Sequence, residues 1–305
     1  MIGTRIIRAL MFARRTRVPT FIIAAPNYTA MSSGIRCLHL LCHRLNLAGF
    51  SAAVTARRRN KHLETPRIRS SWIRNAPALL KNSIVIYPEI VQGNPLHAPN
   101  VVRYLLNRPG FLGPAGLDDY GEGDYFVHFA EEFRPPALQS RLLRLPLVDT
   151  GVFKPPQAED ERQGFLLYNA RHTPDRSSFP GWIDNITVIS PDHPRTPDQL
   201  AALYGRSRAL ITAERTAAVN EALHCHCPVI MLPNDRFDHV PFMSAFGGVG
   251  RIAGFDQAAL EWATETAREF PARYAQDFAG ADNAVVEFAT DALRYFDLKS
   301  ASNAA

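Results

Sequence analysis

The chain has 305 residues, which suits two domains of ordinary size or one large one. Hydrophobic residues make up 46% and charged residues 21%, a balance that excludes wholesale disorder, and no apolar run is long enough to span a bilayer. The net charge of +5 comes from arginine, part of it clustered at Arg5, Arg8, Arg14, Arg15 and Arg17 and again at Arg57, Arg58, Arg59 and Lys61. Two readings stay open: attraction to a polyanion, or a solvated arginine-rich surface.

No RRM-, KH- or helix-turn-helix-like signature accompanies the charge, so a nucleic-acid partner is not expected. Residues 1–17 lack a small-residue cleavage site, so no secretory leader is expected. On a helix, Ile2, Ile6, Ile7, Leu10, Met11 and Phe12 would share a face flanked by arginines, the pattern of a peripheral contact with an anionic membrane. Cys37, Cys42, Cys225 and Cys227 form two close pairs far apart, unlike a secreted disulfide framework. Free thiols in a reducing compartment are expected, which places the chain in the cytoplasm or at the inner face of the plasma membrane.

In chain order, residues 18–27 (VPTFIIAAPN) read as a buried strand closed by Pro and Asn. A turn-rich loop follows to Gly34, then a helix with apolar residues at Ile35, Leu38, Leu41, Cys42 and Leu45, stopped at Gly49. Residues 50–55 are a second strand and residues 82–91 a third. Residues 94–110 (NPLHAPNVVRYLLNRPG) are predicted to be a helix entered through prolines, residues 124–133 to contain a strand, and residues 143–156 to hold a short strand running into a Pro-rich crossing. The charged stretch around 156 is the predicted domain boundary.

Beyond it the alternation restarts, with strands at 164–171 and 186–191. A helix over 196–208 has Thr196 as N-cap and Pro197 at its first position, and a strand (ALIT) follows. RTAAVNEALHCH is predicted helical and CPVIMLP a strand. Residues 255–270 and 281–296 show helical amphipathic spacing, and a polar tail ends the chain. The pattern predicts an α/β protein of two Rossmann-like doubly wound domains facing a cleft. They span 1–155 and 156–280, followed by the helix from 281 and a tail frayed to 305.

The run His224-Cys225-His226-Cys227 holds metal-loving residues, but an alternating run splits its ligands between opposite faces, whereas zinc pairs favour spacings such as C-x2-C. The partner pair Cys37/Cys42 is poorly co-facial on its helix. Packing is the expected role of the thiols, and no metal site is expected.

The stretch YGRSRALITAERTAAVNEALHCHCPVIMLPN has an acidic residue after a strand, Glu-Ala on a helix, and Pro-Val-Ile, and through it the second half resembles the nucleotide-sugar-binding domain of GT-B glycosyltransferases. NYTAMSSGIRCLHLLCHRLNLAGFSAAV is similar to the first loop and helix of such enzymes, VDTGVFKPP to their linker, and PEIVQGNPLHAPNVVRYLLNRPGF to bacterial polysaccharide-assembly transferases of the rhamnan-synthesis type. These stretches cover roughly two-thirds of the chain, and the resemblance implies that the helix from 281 packs back on the first domain.

The resemblance implies transfer of a sugar from a nucleoside-diphosphate sugar to a glycan or lipid-linked acceptor in surface polysaccharide assembly. Retention of the anomer is more expected than inversion, and no cofactor or metal is required, because helix N-termini and arginines can neutralise the leaving diphosphate. A catalytically degenerate binding or scaffold protein on the same fold is the alternative. A dinucleotide enzyme is disfavoured, since no G-x-G-x-x-G follows the first strand.

The resemblance also implies roles for single residues. Arg215, Thr216 and Ala217 open a helix whose free N–H groups suit a diphosphate. Glu221 would accept from the ribose hydroxyls, and Arg171 would neutralise phosphate bidentately. The family's first glutamate would stand eight residues before Glu221, but Ala213 stands there and Glu214 is the nearest acid. In the first half, Ser33 and Gly34 would offer amides to the diphosphate, while Glu89 is a candidate to orient the acceptor or act as base. His128 is a rival candidate or a packed core histidine, and Glu131 a further one. In the family, His226 would stand where glycine takes a left-handed turn.

Overall fold

A computed structural model describes residues 18–74, 77–156, 161–235 and 240–298. The N-terminal arginine-rich segment, on which the membrane contact was expected, and the polar tail beyond 298 lie outside the described residues. No helix among the described residues is long and apolar enough to cross a membrane. The chain forms two compact units: one runs to Leu145 and resumes at Gly280, the other is Pro146–Ala279.

The first unit is built on six parallel strands in the order β2-β1-β3-β4-β5-β6. These are β1 (Phe21–Ile23), β2 (Ala52–Val54), β3 (Ile84–Pro88), β4 (Val101–Leu105), β5 (Tyr125–His128) and β6 (Arg141–Leu142). Helix α1 (Ser33–Leu47) joins β1 to β2. Its N-cap is Ser32, whose Oγ accepts from the Ile35 N–H at 3.3 Å, and Gly49, in a left-handed conformation (φ 87°), follows its end. Short α2 (Ser70–Arg74) and a 3₁₀ turn (Pro77–Asn82) precede β3.

Strand periodicity sorts the core. Ile22, Ala53 and Val85 face Ile68, Ile73 and Leu80 on one side. Phe21 turns the other way, against Phe50 and Phe288. Phe288 lies on the helix of residues 281–295, which Arg141 ties down through Asp291 and Glu287 and Arg44 through Asp282.

Two sequence expectations fail in this unit. Residues 94–110 are not a helix: β4 occupies Val101–Leu105, and all five of its residues are buried. A short apolar run buried on both faces carries no period that separates strand from helix, and Arg103 within it mimicked the polar face of a helix. That arginine is instead 1% exposed. Its Nε donates to Asp124 at 2.6 Å, its Nη groups to the carbonyls of Val91 and Gly93, and its guanidinium lies between the Tyr87 and Tyr120 rings. The strand expected within 143–156 is instead β6 at Arg141–Leu142, and Leu143 only continues the ladder by donating to the His128 carbonyl at 2.9 Å.

The second unit has five parallel strands in the order β11-β10-β9-β7-β8. They are β7 (Phe165–Tyr168), β8 (Ile186–Ile189), β9 (Ala209–Thr212), β10 (Val229–Met231) and β11 (Arg251–Ala253). The three residues of β11, between Gly250 and Gly254, were not anticipated from the sequence. Its helices are α3 (Pro197–Arg206), α4 (Ala217–His224), α5 (Val240–Ser244), α6 (Gln257–Thr266) and α7 (Phe270–Asp277), and the last helix of the chain is α8 (Ala281–Tyr295) in the first unit.

Thr196 and Gln199 form a capping box around α3, with Pro197 inside its first turn. Leu166, Tyr168, Leu210 and Val229 pack with α3, α4 and α7 on one face, and Val148 and Phe153 join that cluster. Phe165, Leu167, Ile211 and Ile230 pack with α6 on the other. Each unit is thus a Rossmann-like parallel sheet whose strand order reverses beside its first strand.

Candidate functional site

In open parallel sheets, ligands favour the carboxyl ends of the strands at the point where strand order reverses. In the second unit that point lies between β7 and β9, whose last residues, Tyr168 and Thr212, are directly paired. The loop after β7 and the loop from β9 into α4 therefore emerge side by side. Thr216 is the N-cap of α4, and its Oγ1 accepts from the Ala218 N–H at 3.3 Å. Ala217 is the first helical residue, half-buried beside Arg215, whose guanidinium lies over the Phe242 ring at 5.4 Å.

Glu214 sits in the middle of this arrangement and is fully buried. Its Oε1 accepts from three successive amides of the neighbouring loop: Ala170 at 2.8 Å, Arg171 at 2.7 Å and His172 at 3.1 Å. Its Oε2 faces the Arg171 Nε at 3.2 Å. The Glu214 amide is itself held by Thr212 Oγ1, and the Ala213 carbonyl by Asn234. The carboxylate is thus shared between three backbone amides and the Arg171 Nε, while the Arg171 side chain stays 47% exposed.

Glu221, on the second turn of α4, is 4% exposed. It sits close enough to Tyr168 and Tyr204 to act on both phenols, whose ionisation is pushed up first by burial and further by its charge. Tyr168 also hydrogen-bonds the Thr216 side chain. The buried Tyr204 hydroxyl has no hydrogen-bond partner among the described residues. Sequence reasoning missed both tyrosines; the signal available was the aromatic residue closing β7, one register step from the expected phosphate loop.

The His-Cys run closes α4, and its side chains go to different places. His224 is buried edge-on to Phe270 and Tyr274, and burial lowers its pKa to about 4. Cys225 and Cys227 are core residues whose thiols burial pushes up to about 12. His226 takes the left-handed conformation (φ 57°), with its own N–H on Leu223 and the Cys227 N–H on Ala222, a Schellman closure. Among the described residues no cluster of His, Cys, Asp or Glu could hold a metal ion.

In the first unit, Ser33 and Gly34 are the first two residues of α1. Glu89 follows β3 and is 3% exposed. Its Oε2 accepts from Leu106 at 3.0 Å, and burial raises its pKa to about 7. A Cβ on Gly34 would meet Leu106 at 3.6 Å, so the start of α1 and Glu89 share that neighbour. His128, at the end of β5, is 2% exposed, with Nδ1 2.8 Å from Ser140 Oγ and Nε2 3.5 Å from the exposed Glu131 carboxylate. No hydrogen bond joins Glu89 to His128 among the described residues. The structure thus gathers Arg171, Glu214, Arg215, Thr216, Ala217 and Glu221 around one switch point, and Ser33, Gly34 and Glu89 around the corresponding point of the other unit.

No protein-family model matches the chain, and no curated protein does. Solved structures do. A putative UDP-N-acetylglucosamine 2-epimerase from Listeria monocytogenes is similar at a TM-score of 0.50 and 11% identity, covering 92% of this chain and 97% of its own. A glycosyltransferase from Rickettsia africae gives 0.47 at 12% identity over 92% and 98%, and the spinosyn rhamnosyltransferase SpnG in complex with thymidine diphosphate 0.40 at 14% over 90% and 96%. The first of these likenesses shows the fold, two Rossmann-like α/β domains of GT-B type.

Proposed function

We propose that the chain is a glycosyltransferase that takes a sugar from a nucleoside-diphosphate donor. The observation that carries this is the α4 start: an N-capped helix opening beside the switch point of a parallel sheet, with Arg171 and Arg215 alongside and Glu221 on the next turn of the same helix. A helix N-terminus with adjacent guanidinium groups stabilises a diphosphate and the charge that develops as it leaves. The Arg171 side chain is half-exposed, so its guanidinium is within reach of a phosphate beside the start of α4.

In this reading Thr216 and Ala217 meet the phosphates and Glu221 the ribose. Glu89, with a pKa near neutrality, is suited to take a proton from an acceptor hydroxyl, with Ser33 and Gly34 offering amides from α1 and His128 the alternative base. Donor transfer to a glycan or lipid-linked acceptor in polysaccharide assembly, with retention, follows from the sequence resemblance. So does the division into acceptor and donor domains, while the cysteine usage supports a cytoplasmic location and the N-terminal apolar and arginine pattern a peripheral membrane contact.

One observation favours a second reading, a non-catalytic binding protein on this fold. Both acids that the resemblance would assign to the donor are turned inward, Glu214 fully and Glu221 to 4% exposure. Thermal-shift titration with UDP, GDP, TDP and CMP, with and without magnesium, separates the two readings. The transferase reading expects one diphosphate to raise the melting temperature of the wild type and Glu221→Ala to lose that response. A chain that answers to none of them is the binding protein.

A further inference from the structure

We propose that the Ala170–Arg171–His172 amides and the Arg171 guanidinium form an oxyanion-binding nest that Glu214 fills as an internal ligand, and that a phosphate group competes with Glu214 for it. Successive backbone amides pointing into one concavity bind anions wherever they occur, because their partial positive charges add and need no reorganisation. Here three of them converge on a single carboxylate oxygen, at 2.7 to 3.1 Å, and a guanidinium supports the second oxygen. Four donors on one carboxylate exceed what is needed to seat a loop. They match the O–P–O edge of a phosphate as well as the O–C–O edge of a glutamate.

The position supports the same conclusion. The nest opens two residues beyond β7, where the strand order of the sheet reverses, which is the place this architecture offers to ligands. Its occupant comes from the adjacent loop, two residues beyond β9 and two before the N-cap of α4. A carboxylate that leaves the nest therefore moves the chain that forms the start of α4. The half-exposed Arg171 side chain marks the side from which a competing anion arrives. The exchange replaces one anion by another, so the amides and the guanidinium are never left uncompensated. Glu214 is then a positioning residue that holds the Arg171 loop in shape until phosphate displaces it, and not a group that touches the donor sugar.

This inference deepens the donor-site reading, which supplies only the source of the phosphate. The test uses the full chain, isotope-labelled, as wild type, Glu214→Ala and Glu214→Gln, titrated with inorganic pyrophosphate against sodium chloride of matched ionic strength. The expected result is at least tenfold tighter pyrophosphate binding by Glu214→Ala than by wild type, with the Ala170, Arg171 and His172 amide signals shifting and exchanging more slowly. Glu214→Gln, which keeps an acceptor but no charge, falls between, and decides by the same comparison if the alanine variant does not fold. Equal or weaker binding by the variants overturns the proposal, as does tighter binding that leaves those three amides unchanged. Pyrophosphate binding at the nest in a chain that binds no nucleoside diphosphate supports the nest and removes the donor reading.

Discussion

Burial moves two titratable groups far enough to be read in the pH dependence of stability. Glu89 keeps its proton to about 7 in the folded chain, against 4.5 for the free side chain. The unfolded state therefore releases that proton first, and stability falls as pH rises from 4.5 to 7, by roughly 3 kcal/mol at most. Glu89→Gln keeps an acceptor for the Leu106 N–H and removes the charge. It is expected to be more stable than wild type above pH 7 and to flatten that slope, checked by urea unfolding across the range. His224 has the opposite sign. Its folded pKa of about 4 lies below the ordinary 6.5, so its contribution is present above 6.5 and lost as pH falls toward 4. His224→Phe preserves the edge contacts with Phe270 and Tyr274. It is expected to remove a loss of roughly 3 kcal/mol on the acid side.

Among the elements, β4 depends most on a single pair. Arg103 lies in the middle of a fully buried strand, and Asp124 is its one carboxylate partner among the described residues. Removing one partner of a buried pair leaves the other charge uncompensated. Asp124→Ala is therefore expected to cost about 3–5 kcal/mol, read as a lower denaturation midpoint, while Arg103→Met/Asp124→Leu recovers part of it. That same pair made β4 illegible in the sequence, because the partners stand 21 residues apart and nothing local marks Arg103 as neutralised. By contrast α1 and α3 were legible, since Gly49, Thr196 and Pro197 are local signals that act on the backbone beside them. For α4, the helix start near Thr216 could be read and the inward turn of Glu221 could not, because helix period does not tell which face the sheet and the neighbouring helix will cover. Thr216→Ala removes the cap bond to Ala218 and is expected to cost about 1 kcal/mol of stability, measured by thermal unfolding.

At the scale of the whole molecule, alternating strands and helices in both halves were enough to give two parallel sheets, because a parallel pair needs a long crossover and the spacing of the apolar runs supplies it. Apolar spacing placed the strands and helices, and the resemblance picked out the candidate residues on the loops and helices that follow the strands. Neither could show that Glu214 binds backbone, because its three amide partners stand 42 to 44 residues away. Chemistry in this chain is thus set by which loops the sheet brings together. The central claim, a diphosphate site at the start of α4, is tested most directly by mapping amide shifts while titrating the nucleoside diphosphate that binds. The account expects the changes to concentrate in residues 169–173 and 214–221 and to vanish in Arg171→Ala. Binding that leaves both segments unchanged contradicts it.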